Sequence, residues 1–247
     1  MRFNALRQAA IVAAMGVCGS AGLAQQAAPP PRLPPRWRTQ LDLGLTDTRG
    51  NSRLTSLSVG EKLEFRPGRW LVTQTLSWVV GRNDSVETAN HLKASLRGDY
   101  AIRPRLKVFG LAAFERNTFA GLSRRFEESV GLAWSALAGP RSQFDIEAGA
   151  GLNQQRAGRS ETFAISRLAS RFRHHFTAAA YVEQKAELLS SLDNLDDERV
   201  NAETALVAPL ARTVSLRLSY QVAFDNVPVP GKKRTDTVFA SGIQVVF

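Results

Sequence analysis

His91 stands close in the chain to residues that could form a hydrolytic site with it. Asp84, Ser85 and Asn90 precede it, and a serine with a histidine and a carboxylate or amide is the set that activates a nucleophile in lipid hydrolases and acyltransferases. The segment lacks the G-x-S-x-G turn that presents such a serine. His91 also shares its parity with Lys93, on the polar face of the segment rather than on the apolar face that would meet lipid. We therefore expect a solvated histidine and no catalytic residue.

Two further clusters have the residue types of a metal site. His174 and His175 are adjacent, but the segment around them supplies arginines and no further ligand. Residues 193–198 are rich in carboxylates, but they lack the glycine and the alternating spacing of a calcium loop. Solvated segments are the simpler interpretation of both, so we expect no metal and no cofactor. Four leucines at helical spacing predict a short helix beside the acidic segment: Leu188, Leu189, Leu192 and Leu195.

The composition of the 247 residues narrows the class of protein to which these segments can belong. Hydrophobic residues make up 44% and charged residues 22%, which excludes a bundle of apolar membrane helices and a disordered chain. The net charge of +10 favours an anionic partner, either nucleic acid or a membrane surface. Cys18 is the one cysteine, so a disulfide scaffold and a thiolate metal site are excluded.

Residues 1–24 have the pattern of a signal peptide for export. Arg2 and Arg7 flank its start, and residues 9–17 form an apolar core that is too short to span a bilayer. Residues 22–24 offer the small side chains that a signal peptidase reads. We therefore expect export through a cleaved signal peptide.

The segment after the predicted cleavage site is rich in proline. Residues 25–35 favour an extended periplasmic tether, because proline restricts the chain to extended geometry. Cleavage after Ala24 would remove Cys18 and two arginines, which lowers the net charge from +10 to +8. A lipoprotein signal at Cys18 is the alternative, but Val17 stands where a small residue is needed.

Apolar and polar residues alternate in residues 36–247, which is the period of a half-buried strand and not of a helix. Leu216, Leu218 and Tyr220 alternate with serine and arginine in the clearest example. Turn signals recur at intervals of 35 to 37 residues, and each interval holds two strands. The pattern predicts an all-β, up-and-down antiparallel barrel of about 12 strands. The turns are expected at residues 66–69, 103–105 and 139–141, near His174 and His175, and at residues 209–212.

Longer polar connections alternate with these turns. Short periplasmic turns and longer outer loops are typical of transmembrane barrels in the outer membrane. The longer connections are expected at residues 49–52, 82–88, 116–124, 154–160, 189–198 and 225–234.

The direction of the apolar face separates two classes of barrel. A membrane barrel turns this face to lipid, whereas a lipocalin-like barrel turns it inward. Three pairs of aromatic residues are each separated by eight residues, which corresponds to about 20 Å along the barrel axis, close to the distance between two aromatic girdles. This spacing favours lipid outside, and a soluble periplasmic β-barrel that binds an apolar ligand is the alternative. The predicted lipid-interface aromatics are Trp70, Trp78, Phe126, Trp134, Phe239 and Phe247.

The polar parity carries charges of both signs, which a membrane barrel would place in its lumen. Twelve strands lie between the filled eight-stranded barrel and the open sixteen-stranded porin. Charges in so narrow a lumen should pair, because an unpaired charge in restricted water is costly. We therefore expect low conductance. The predicted lumen charges are Arg38, Asp42, Lys93, Arg97, Asp99, Asp145, Glu147 and Arg217.

The last heptad resembles the signal that outer-membrane barrels show to their assembly machinery. Ser241 and Gly242 are followed by apolar residues at the third-last and last positions, Val245 and Phe247. This pattern predicts the barrel assembly machinery as a partner.

Several segments resemble the salt-induced outer membrane protein family, domain of unknown function 481. They are residues 50–70, 98–100, 106–121 and 215–247, with Pro230-Gly231-Lys232-Lys233 as the most specific motif. The resemblance covers about residues 36–247. It implies a Gram-negative outer-membrane β-barrel and brings no established activity and no catalytic residues.

The predicted outer side is rich in arginine, which could bind lipopolysaccharide phosphates by bidentate contacts. Ordinary solvated loop charge is the alternative. Nucleic acid is not expected as a partner of an exported barrel, and we expect a monomer without enzymatic activity. Two roles stay open: a narrow charged pore, and an envelope-structural or stress-related barrel. The basic residues concerned are Arg49, Arg53, Arg82, Arg116, Arg124, Arg125, Arg156, Arg159, Arg199, Lys232, Lys233 and Arg234.

Overall fold

The computed structural model describes residues 36–49, 54–83, 86–118, 120–157, 159–194 and 196–247. The predicted signal peptide and tether, residues 1–24 and 25–35, lie outside the described residues. Within the part of the chain that is described, no helix is long and apolar enough to cross a bilayer.

Twelve antiparallel strands form one closed barrel, in which each strand pairs with its neighbours in the chain and β12 pairs with β1. The all-β barrel and its strand number confirm the prediction from the alternating pattern. The strands are β1 (Trp37–Arg49), β2 (Leu54–Phe65), β3 (Trp70–Asn83), β4 (Val86–Arg103), β5 (Leu106–Asn117), β6 (Leu122–Ala138), β7 (Ser142–Ala157), β8 (Arg159–His175), β9 (Tyr181–Ser191), β10 (Glu198–Pro209), β11 (Val214–Asp225) and β12 (Thr235–Val246).

The apolar face of the barrel points outward. Leu206 on β10 lies directly opposite Leu218 on β11, and Leu206 is 44% exposed although it sits in the middle of paired strands. Tyr220 shares this face and is 49% exposed, whereas Arg217 and Ser219 take the inward parity. An apolar exterior with a charged interior is the arrangement of a membrane barrel and argues against the soluble alternative.

The start of β1 and the end of β12, called here the termini of the barrel, meet at one end. Leu41 pairs with Val245 across the seam between β1 and β12, and Thr39 and Phe247 exchange two backbone hydrogen bonds of 3.2 and 2.9 Å. The last residue of the chain therefore takes part in closing the barrel.

Most connections at the other end are shorter than the sequence pattern predicted, although the one between β1 and β2 has the predicted length. Strands β7 and β8 extend to within one residue of each other around position 158, and β3 and β4 to within two residues at 84–85. Only the connections at 192–197 and 226–234 exceed five residues. Polar residues predicted as loop continue the strands because backbone pairing extends beyond the apolar band.

The turn predicted near His174 and His175 follows the end of β8 directly, at residues 176–180. One local prediction was wrong. The helix predicted from leucine spacing is replaced by β9, which carries Leu188 and Leu189 and ends at Ser191. Leu188 and Leu189 lie on opposite faces of the strand, and such adjacent leucines imitate helical spacing. Leu192 follows β9 in the connection, and Leu195 lies outside the described residues.

Candidate functional site in the barrel lumen

The predicted lumen charges take inward positions on their strands; Arg97 meets predicted acids, whereas Lys93 and Arg217 bind acids outside the predicted set. Arg97 binds Asp99 and Glu147. Arg217 binds Glu203 instead of one of the predicted acids, and Lys93 binds Glu115 at 3.5 Å.

The remaining predicted charges bind neutral groups or none. Asp42 accepts hydrogen bonds from Gln40 at 2.9 Å and from Gln244 at 3.0 Å. Asp145 accepts one from Ser135 at 2.6 Å. Among the described residues, Arg38 makes no hydrogen bond or ion pair through its side chain.

A chain of ion pairs crosses the lumen from β4 to β9. The Arg97 guanidinium donates to both carboxylate oxygens of Asp99, at 2.9 and 2.7 Å, and reaches Oε2 of Glu147 on β7 at 2.8 Å. The same oxygen accepts a hydrogen bond from Arg167 on β8, also at 2.8 Å. Arg167 in turn donates to Glu187 on β9 at 2.8 Å. Five neighbouring charges thus hold one another between facing walls of the barrel.

Phe109 lies at the centre of this network. Its ring is 2% exposed, and the guanidinium carbons of Arg97 and Arg167 lie 4.4 and 5.4 Å from the ring centroid. Such cation–π contacts are worth about 0.5 to 2 kcal/mol each. The register aligns Phe109 with Gly131 and then with Gly149 on the next strand.

The two glycines make room for this ring. A Cβ atom at Gly131 would lie 2.8 Å from Cζ of Phe109, and one at Gly149 would lie 3.2 Å from it. An aromatic ring that covers glycines of adjacent strands replaces the packing that the missing side chains would supply. At this level the lumen is therefore filled by one aromatic ring over small residues.

A second ion-pair cluster lies on β8 to β11. Glu183 binds Lys185 at 3.1 Å and also binds Arg173. Lys185 bridges to Glu203 at 2.9 Å, and Glu203 also binds Arg217. Each carboxylate is shared by at least two cations, so the cations retain donor groups that no acid occupies.

A cavity of about 330 Å³ separates the two ion-pair systems. Seven cationic side chains line it, against two carboxylates, and the remaining lining residues are neutral. The cations are Lys62, Arg97, Arg167, Arg171, Arg173, Lys185 and Arg217, and the acids are Glu183 and Glu187.

The end of the lumen away from the termini is filled by apolar and polar side chains. Phe163, Ile165 and Leu189 form a buried apolar cluster, and the Arg199 guanidinium lies 5.8 Å from the Phe163 ring centroid. Close to it, buried polar atoms of Glu127, Ser129, Asn153 and Arg199 have no hydrogen-bond partner within the described protein.

The candidate catalytic and metal residues show structural contacts. His91 lies in the lumen, with its Nε2 2.9 Å from Glu115, whereas His174 Nδ1 lies 2.8 Å from Ser142 Oγ. In the acidic connection, burial raises the pKa of the Asp197 carboxyl above its ordinary value, although the nearby Arg199 charge opposes this rise. Among the described residues, no group of three or more histidine, cysteine or acidic side chains is arranged to hold a metal.

The predicted lipid-interface aromatics all lie on the exterior. Trp70, Trp78, Phe126, Trp134, Phe239 and Phe247 are 39% to 69% exposed. Two carboxylates share this outward face, Glu61 on β2 and Glu128 on β6, which the alternating pattern did not single out. Two predicted rim residues are placed differently: Arg125 binds Glu115 inside the lumen, and Arg199 is 5% exposed. Of the terminal motif, Gly242 faces β1 at the seam and Ser241 pairs with Leu45.

The sequence interpretation missed several lumen residues. Arg167, Glu183, Glu187 and Glu203 belong to segments in which both parities carry polar residues, so alternation gave no clear face. Phe109 was missed because its neighbours are apolar on both faces. Inward glycines aligned on adjacent strands were the signal that could have revealed a bulky residue above them.

The fold is similar to that of solved outer-membrane barrels. The NanC porin is 12% identical, with a TM-score of 0.58 over 83% of this chain and 98% of that chain. The translocator domain of the autotransporter NalP from Neisseria meningitidis is 12% identical, with a TM-score of 0.55 over 87% of this chain and 90% of that chain. The KdgM porin is 8% identical, with a TM-score of 0.50 over 84% and 99%. At these identities the similarity concerns the fold.

Sequence comparison identifies the family. No curated protein matches the chain. The model of one protein family matches residues 41–247, which include all but the first four residues of β1 and every later strand. The chain therefore belongs to the family described as protein of unknown function, DUF481.

Proposed function

We propose that the protein is a Gram-negative outer-membrane β-barrel without enzymatic activity, whose lumen forms a narrow pathway for small anionic solutes. The outward apolar face supports the membrane location, because exposed leucines and aromatics on a closed barrel require lipid. The predicted signal peptide and the terminal motif with Phe247 support export and assembly. The porin folds to which the barrel is similar agree with this location.

The cation-rich cavity carries the proposal of anion preference. Seven cations and two acids line it, and each acid of the second cluster already serves at least two cations. Arg171 is the clearest example of an incompletely matched cation, since its nearest carboxylate, that of Glu183, is 3.8 Å away. Clefts lined by one sign of charge concentrate the opposite ion, and rings of arginine and lysine select anions in pores.

The filled cross-section supports low conductance. Phe109, Asn153, Ile165 and Val207 are inward-facing and fully buried, so the chain's own side chains occupy much of the lumen. The Arg97–Glu147 ion pair spans it at 2.8 Å. Solutes of the size that an open porin passes would have to break this network, whereas small hydrated anions could move between its cations.

Planar-bilayer recording of the purified barrel tests the proposal. We expect small, stable currents in a potassium chloride gradient, with a reversal potential that shows chloride to be more permeant than potassium. The variant Lys185→Gln with Arg217→Gln should reduce this selectivity. The variant Lys232→Gln with Arg234→Gln, which removes the same charge from an outer connection, is the matched control. Conductance of porin size, or preference for potassium, would contradict the proposal.

A closed barrel with an envelope-structural or stress-related role is the second candidate. The apolar cluster of Phe163, Ile165 and Leu189 at the other end of the lumen favours it, because a water-filled path does not need apolar side chains. Electrical silence of correctly folded protein would support this role. Induction by salt, which the family resemblance suggested, remains a prediction to be tested by measuring protein levels at raised salt.

A further inference from the structure

Three arginines form a row on the exterior of the barrel, at the end away from the termini. Arg116, Arg124 and Arg156 lie on the outward parity of β5, β6 and β7. Arg124 is directly opposite Arg156 in the strand register. Arg116 is the next residue along this row, beside an irregularity that shifts the register between Glu115 and Asn117. Adjacent strands lie about 4.8 Å apart, so the three guanidinium groups are neighbours.

No acid in the described structure neutralises this row. The Arg116 Nη2 donates a weak hydrogen bond to Asn90 at 3.4 Å, and its Nε is buried without a partner. Arg124 and Arg156 are exposed, and their side chains form no hydrogen bond or ion pair within the described residues. Like charges directly opposite on adjacent strands destabilise a sheet. An anion between them would offset this repulsion.

The row lies immediately beyond an aromatic girdle. Phe114 and Phe126 are directly opposite each other, and Arg116 and Arg124 follow them by two residues toward the end of the strands. Trp134 lies eight residues from Phe126 on the same face, toward the other end of the barrel. An arginine just outside an aromatic girdle lies at the level of lipid headgroups.

The row does not continue across strands β8 to β12. In strands β8 to β12, no outward position of the described residues carries lysine or arginine. The corresponding exterior positions there are Leu188, Val200, Val222, Phe224 and Phe239. A cation row that ends at β7 resembles a binding site more than a rim that is charged all round.

From this row we infer a binding site for the phosphate groups of lipid A, the phosphorylated lipid of the outer leaflet. The inference rests on the proposed outer-membrane location, which makes the end away from the termini the outer end. Guanidinium groups bind phosphate in a bidentate manner, and three of them match the charge of more than one phosphate. The acyl chains of the same lipid would lie against Phe114 and Phe126.

Binding of purified lipopolysaccharide to the refolded full-length barrel in detergent micelles tests the site. The variant Arg124→Gln with Arg156→Gln should bind lipopolysaccharide at least about tenfold more weakly than the wild type, because two charge-assisted contacts are lost. The variant Arg141→Gln with Arg212→Gln changes two exposed arginines in turns at the opposite end and should bind like the wild type. If the double variant fails to fold, as judged by heat-modifiable gel mobility, binding is measured with the single variant Arg156→Gln instead.

Binding measurements with three further ligands identify the source of the phosphate. Dephosphorylated lipopolysaccharide should bind the wild type as weakly as the phosphorylated form binds the double variant. Phosphatidylglycerol and inorganic phosphate should compete poorly. Equal binding of all lipids, or unchanged binding by the double variant, would overturn the site. Fractionation of cells tests the membrane location separately: protein that binds lipopolysaccharide in micelles but is absent from the outer membrane contradicts the proposed location only.

Discussion

Gly44 on β1 lies directly opposite Gly242 on β12, at the seam where the first and last strands close the barrel. A second opposed pair, Gly131 and Gly149, joins β6 to β7, six strands away in the closed sheet. A Cβ atom at Gly242 would lie 2.6 Å from the Cα of Gly44, and one at Gly44 would lie 2.7 Å from the carbonyl oxygen of Ser241. At these inward positions on opposite sides of the barrel, an added Cβ would clash with the backbone of the neighbouring strand, so glycine is required there.

Substitution at the seam should destabilise the barrel. We expect Gly242→Ala to lower the free energy of unfolding by about 1 to 3 kcal/mol, the usual cost of overpacking, as measured by urea titration of the refolded protein. Gly44→Ala should lower the free energy of unfolding by a similar amount, and Gly44 lies outside the terminal motif. Gly110→Ala is the control, because no atom lies within 4 Å of an added Cβ there. An equal loss in the control would show that the seam has no special packing.

Removal of the central ring should both open and weaken the lumen. Phe109 is 2% exposed, and truncation of a buried phenylalanine costs about 3 to 5 kcal/mol. We expect Phe109→Ala to lose stability in this range and to conduct more current in planar bilayers. Val108→Ala, on the outward face of the same strand, should leave conductance unchanged. Unaltered current in Phe109→Ala would mean that the constriction lies elsewhere.

Neutralisation of ion-paired lumen arginines should also enlarge the current. Arg97 and Arg217 each contribute to a different ion-pair system, and serine at both positions removes two long side chains from the cross-section. We expect an increase in conductance of about twofold or more, since pore radius and lining charge set the barrier. If Arg97→Ser with Arg217→Ser conducts as the wild type does, the obstruction resides in the connections between strands.

The terminal aromatic should matter for assembly more than for stability. Phe247 is 69% exposed, and its contribution to closure is made by backbone hydrogen bonds with Thr39. Phe247→Ala keeps those bonds, so we expect its unfolding midpoint in detergent to stay close to that of the wild type. In cells, its level in the outer membrane should fall, measured by fractionation and immunoblotting. Undiminished levels would show that the ring is not part of the assembly signal.

The alternating pattern was sufficient to predict the barrel because one face of nearly every strand is apolar. Leu216, Leu218 and Tyr220 show why: lipid requires apolar residues at each outward position, and the lumen requires none. Turn residues at regular intervals then fixed the number of strands. The pattern was insufficient for the connections, since hydrogen bonding between strands such as β7 and β8 continues past the last apolar residue.

Parity identified which charges face inward, but it could not identify their partners. Arg97 meets Glu147 across three strands, a contact that depends on strand stagger, barrel closure and the reach of a long side chain. Arg217 binds Glu203 on the neighbouring strand, a contact that also depends on strand stagger and on the reach of a long side chain. Arg125 and Arg199 show the converse error, because polar residues near strand ends were assigned to the rim although they turn inward.

The meander topology concentrates the cost of ordering the chain in one step. Eleven of the twelve strand pairings join consecutive strands, and only β12 with β1 joins distant parts of the chain, so that Gln244 binds Asp42 from 202 positions away. Pairing of consecutive strands is fast and costs little chain entropy. Pairing of β12 with β1 brings distant parts of the chain together, so its loss of chain entropy comes late. Substitutions within a hairpin that forms after the rate-limiting step should therefore accelerate unfolding, while those that act on the pairing of the two chain ends should slow folding itself.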